Sequence, residues 1–188
     1  MLGALSAIVV AAGLLVWRPW NALGSPITTL SIAPSDSSPA SQAAARDLIV
    51  KLGALQTGQL GSIRLAAADD KSGNSDLLME VGVASGSPAN HASLLLKDGH
   101  RGTILWSREF EQPSQQLEDL KQQLAFTSAK TLECLLDEQS SGTRLQPETA
   151  KSYLNACAQL SEFLNSDPTA TVRMLSAVVQ QAPAFKPA

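Results

Sequence analysis

No stretch of this chain gathers positive charge. Its 14 Lys and Arg are scattered over 188 residues and outnumbered by 17 Asp and Glu, for a net charge of −3. That argues against a nucleic-acid face, which needs cations clustered against phosphate. Aromatics are equally scarce at 4%, so stacking platforms for single strands are not expected. There is no glycine loop followed by Lys-Ser or Lys-Thr to cradle a phosphate, and Gly82 to Gly86 lacks nucleophile-elbow spacing. Two His and two Cys, without a cluster, give no zinc site. No nucleophile, base and oxyanion donors can be assembled into one constellation, so the chain reads as a non-enzyme with no cofactor.

What the sequence does hold begins at its first residue. Met1 to Trp17 (MLGALSAIVVAAGLLVW) carries no charge. Seventeen residues lie at the short end of the roughly 17–25 that span a bilayer. Trp17, Arg18 and Trp20 follow as membrane-interface residues, and Pro19 ends the helix. A retained anchor, a cleaved signal peptide and a buried core helix all remain open readings of this run.

Beyond a short linker, Ile27 to Ala33 is apolar and β-branched between two prolines, which predicts a strand. Asp36 or Ser38 is placed to cap a helix over residues 40–55, with Pro39 at its first position. Strands are expected over 62–67, 77–85, 92–97 and 103–110. The last two flank Asp98-Gly99-His100-Arg101-Gly102, a hairpin connection. Alternation in the last strand places Ile104, Trp106 and Arg108 on one face.

From Pro113 the apolar period turns helical. Ser114 is expected to cap a helix running to about Glu138, with Leu117, Leu120, Leu124, Leu132 and Leu135 as its stripe. A second helix is expected over 147–165. Asp167 and Pro168 open a third, whose buried side is read as Val172, Leu175, Val178 and Val179. The fold class is α+β, divided into an anchor at 1–20, a sheet domain with four or five strands at 21–112, and a helical region at 113–188.

The run Leu94 to Phe110 (LLLKDGHRGTILWSREF) resembles a segment of the domain that follows the membrane helix in CadC-type one-component transcriptional regulators. The same domain precedes tetratricopeptide repeats in some bacterial adenylate cyclases. Ile27 to Pro34 resembles that domain's first strand, and Leu117 to Leu135 the helix after its Trp-Ser strand. Asp167 to Ala188 resembles the second helix of a tetratricopeptide unit. The resemblance implies a single-pass inner-membrane protein with residues after about 26 in the periplasm. It implies a sensory or protein-interaction role in a bacterial regulator, through a protein partner or homodimer, with a small-molecule or pH signal. A free-standing exported repeat adaptor is the alternative.

Candidate site residues are few. Cys134 and Cys157 form one disulfide or stay as two buried thiols. Trp106 is read as a packing anchor between sheet and helices, or else a ligand contact. His91 and His100 sit in or beside expected turns and read as solvated. So do Asp69, Asp70 and Asp76, which lack the spacing of a calcium loop. Glu109 and Glu111 read as a solvated strand edge.

Overall fold

The computed structural model describes residues 27–55, 58–67, 75–143, 145–160 and 168–186. Over these the fold is mixed α/β, with one five-stranded sheet and four α-helices. The expected anchor, Trp17, Arg18, Trp20, Asp69, Asp70, the end of the expected second helix and Asp167 lie outside the described residues. Among the described residues no helix is long and apolar enough to cross a membrane.

The strands are β1 (Thr28–Pro34), β2 (Ile63–Ala67), β3 (Leu77–Ala84), β4 (Ala89–Asp98) and β5 (Ile104–Pro113). Helix α1 (Pro39–Ala54) and a short 3-10 turn, Gly58–Ser62, link β1 to β2. The sheet order is β2-β1-β3-β4-β5. β1 runs parallel to both neighbours, with Thr28 beside Ile63 and Leu30 beside Leu77. β3, β4 and β5 form an antiparallel meander. A parallel pair needs a crossover rather than a tight turn, and α1 supplies it.

Alternation decides which face is covered. Leu30, Ile32, Met79, Val81, Leu94 and Leu96 are at most 1% exposed and share one face. α1 packs on that face over β1 and β3, and α2 (Leu117–Ser140) packs over β4 and β5. The other face carries Ser31, Glu80, Ser93, Leu95 and Lys97, and there Lys97 Nζ lies 2.6 Å from Glu80 Oε1. α3 (Pro147–Leu160) packs on α2, and α4 (Pro168–Gln181) packs on α3. Tyr153, Leu154, Val178 and Phe185 join the same core as the sheet residues.

Ser38 caps α1, its Oγ accepting from Ser41 N at 3.2 Å, with Pro39 in the first turn. Ser114 does not cap α2, contrary to the sequence expectation. Its N–H donates to Pro88 O and its carbonyl accepts from Asn90 Nδ2, so it ties together the open end of the β4–β5 hairpin instead. The helix starts three residues later, with Gln116 at the cap position.

Two faces also differ from expectation. A bulge sets Leu96 opposite Trp106 but Lys97 opposite Ile104. The additional residue flips Ile104 to the outer face, where it is 57% exposed, while Trp106 is 0% exposed. In α4, Val172 and Val179 are 62% and 58% exposed rather than buried. The buried residues are Thr171 and Val178. Thr171 Oγ1 donates to Gln159 Oε1 at 2.9 Å, and Thr149 Oγ1 donates to Gln181 Oε1 at 2.7 Å. These bonds fix the rotation of α4 at both ends of the α3–α4 pair.

Candidate functional site

The outer sheet face carries a cup of about 260 Å³ where β1 ends and α1 begins. Its floor is Gly82, which pairs with Ser93 across β3 and β4. A Cβ at Gly82 would stand 2.5 Å from Ser35 Oγ and 2.7 Å from Ser93 Oγ. Glycine is what allows the two hydroxyls to close over the strand. Glu109 is opposite Ser93, and Glu111 opposite His91. Asp36 completes the rim. Hydrogen bonds from Ser38, first from its hydroxyl and then from its N–H, hold the Asp36 carboxyl below the ordinary carboxylate range.

Register alone brings these groups together, since Ser35, Gly82, Ser93 and Glu109 come from four separate segments. A Gly inside an otherwise apolar strand was the one signal in the sequence. Among the described residues His91, Ser93 and Glu109 make no side-chain hydrogen bond or ion pair with one another. The cup offers two hydroxyls, an imidazole and carboxylates to a polar group, without a base already bonded to a nucleophile.

The opposite end of the sheet holds a groove of about 550 Å³, with Ile27, Leu77, Leu105 and Leu135 inside and Asp76, Asp98 and Glu138 at the rim. These carboxylates are engaged in the fold. Asp76 Oδ2 accepts from Thr29 N at 2.7 Å, and its Oδ1 lies 3.2 Å from His100 Nε2. The Thr29 N–H, followed by the His100 contact, holds the Asp76 carboxyl below its ordinary value against the opposing effect of burial. Asp98 Oδ1 accepts from the N–H groups of Arg101 and His100, each at 2.9 Å, and these bonds, Arg101's foremost, hold its carboxyl below the ordinary value against the opposing effect of burial. Glu138 Oε1 accepts from Leu145 N at 3.0 Å.

His100 thus belongs to the β4–β5 turn, as its sequence suggested, whereas His91 lies within β4 and is exposed. Glu109 and Glu111 are exposed on the outer face on either side of buried Phe110. Among the described residues no group of His, Cys, Asp and Glu could hold a metal ion. Trp106 lies wholly inside, between sheet and helices.

Cys134 on α2 and Cys157 on α3 are joined by a disulfide, with Cα atoms 6.5 Å apart. Both are buried, at 5% and 2% exposure. Near them Tyr153 stacks edge-on against Phe185, with ring centroids 5.0 Å apart. Burial, reinforced by the charges of Asp137 and Glu138, pushes the Tyr153 phenol up to about 12.

No family model matches this chain, and no curated protein does. Among solved structures it is similar to a PelC dodecamer from Paraburkholderia phytofirmans, at 15% identity and a TM-score of 0.37, over 56% of this chain and 89% of that one. It is also similar to protein XCC0632 from Xanthomonas campestris, at 15% identity and a TM-score of 0.37, over 63% of this chain and 91% of that one.

Proposed function

We propose that this chain is a non-catalytic, membrane-anchored extracytoplasmic module that senses or binds for a bacterial regulator. The observation that carries the reading is the buried bond between Cys134 and Cys157. Structural disulfides form and persist in oxidising compartments and are rare in the cytosol. The uncharged run of the first 17 residues supports the same reading by supplying a route to the membrane. The cup over Gly82 is then the place for a polar ligand or a partner's polar side chain. Reporter fusions after residue 26 test the reading, together with intact-mass analysis after alkylation without reductant. An exported location with no alkylated thiol is expected. A cytoplasmic location, or two alkylated thiols, removes it.

A second reading is an exported adaptor that binds other proteins through its helices. Val172 and Val179 favour it, since they lie seven residues apart on one exposed side of α4. Glu at both positions would abolish partner capture while leaving the fold intact. A partner retained by that double variant would remove the adaptor reading.

A further inference from the structure

Helix α4 leaves an apolar side in solvent. Val172, Ser176 and Val179 are exposed and succeed one another about one helical turn apart, which puts them on one face. Arg173 is exposed beside Val172 and is the sole charge of the helix, whose sequence PTATVRMLSAVVQQ holds no Asp or Glu. Among the described residues Arg173 has no ion-pair partner. The stripe is therefore apolar, with a cation at one edge.

The groove at the end of the sheet away from the cup has the complementary make-up. Leu77, Leu105 and Leu135 line it, and Ile27 forms an apolar lip that is 58% exposed. Among the described residues the charged groups lining it are all carboxylates, from Asp76, Asp98 and Glu138. His100 and Arg101 lie on the adjoining turn and do not line it. Its volume of about 550 Å³ falls within the roughly 300–1,000 Å³ of binding pockets. Groove and α4 are neighbours on one chain. Thr143, at the rim, donates its hydroxyl to Ala184 O, just past α4, at 3.4 Å.

We infer that two copies of this chain pair reciprocally, each seating the Val172–Val179 side of α4 in the other's groove, with Arg173 against the carboxylate rim. The inference rests on the reading of α4 as a binding face and names a second copy as the partner. Apolar surface meets apolar surface, and the one cation of the helix meets anions. A two-fold axis near the Thr143–Ala184 junction makes both contacts at once, because the two surfaces are neighbours on each copy. Neither surface complements itself. Two grooves face to face would oppose carboxylate to carboxylate, and two α4 stripes would leave both Arg173 cations without a counter-charge.

Sedimentation equilibrium of the full chain in mild detergent tests the pairing. Arg173→Glu turns the stripe acidic, and Gln139→Arg places a cation in the groove lining. Both natural side chains are exposed, so both variants should keep the natural unfolding midpoint. The natural chain should dimerise. Each variant alone should raise the dimer dissociation constant by roughly a hundredfold, about tenfold for each of the two symmetric contacts. An equimolar mixture of the two should regain the natural constant. In the mixed pair the introduced Glu faces the introduced Arg, and the second contact is the natural one. A mixture that associates no more tightly than its separate components overturns the inference. So does a monomeric natural chain, and the Val172→Glu/Val179→Glu variant then still decides whether α4 captures a different protein.

Discussion

Gly99 passes so close to Ser75 that a methyl group at its Cα would overlap the Ser75 carbonyl. The approach is held by Gly99 N donating to Asp76 O at 2.8 Å. Because the obstacle is backbone, it cannot rotate away. Gly99→Ala should therefore lower stability by about 1–3 kcal/mol in urea unfolding. Gly82 offers a contrast, since its nearest atoms are the hydroxyl tips of Ser35 and Ser93. Those side chains can turn, so Gly82→Ala should cost clearly less than Gly99→Ala. Equal losses would show that the cup over Gly82 is as rigid as the turn.

Cys134 and Cys157 lie 23 positions apart in sequence. Closing a loop of that size stabilises by about 3 kcal/mol in the chain-entropy model. Cys157→Ala should lose about that much, with a further contribution from the cavity left between α2 and α3. Burial of both sulfurs also predicts that reduction is slow in the native protein and accelerates in denaturant. Equal unfolding midpoints with and without reductant would refute the stabilising role.

Acid stability should follow Asp76. Its carboxyl titrates below the ordinary 3.8 in the fold, so its contribution is fully present above that value. It is lost as pH falls through the lower, folded pKa. The denaturant midpoint should be flat near neutrality and drop below about pH 4. Asp76→Asn should lower the midpoint at neutral pH and shallow the acid limb. An acid limb as steep as that of the natural chain would sink this account.

Tyr153 is the sequence's only tyrosine, so phenolate absorbance reports it alone. Its folded midpoint should lie near 12. A group raised in the fold stabilises below its unfolded value, about 10 for Tyr, and that stability fades as pH rises from 10 to 12. Alkaline titration of the native chain, repeated in denaturant, should separate the two midpoints. Ionisation near 10 in the native state would mean that the ring is not enclosed by α3 and the Phe185 segment.

Local pattern sufficed for much of this architecture. The Leu stripe of α2, the Asp98-Gly99 turn and the alternation of Leu77, Met79, Val81 and Val83 each specify their element within a few residues. The parallel insertion of β1 between β2 and β3 has no local signature, because only tertiary packing chooses a strand's neighbours. The bulge beside Trp106 could not be read from alternation, since one additional residue reverses the pattern. α4 has apolar residues on two sides, and bonds made by Thr171 and Thr149 select the one that is buried. The cup needed register as well as residue type, for Ser35 and Ser93 are far apart in the chain.

The position of β1 has a mechanical consequence. The chain enters the described fold at Ile27 and passes at once into a strand flanked by parallel partners on both sides. A pull on that end along the strand loads both hydrogen-bond ladders in shear, so their bonds must fail together rather than unzip one by one. An edge strand peeled sideways would yield at far lower force. Tension applied at its amino-terminal end would therefore meet two ladders resisting at once.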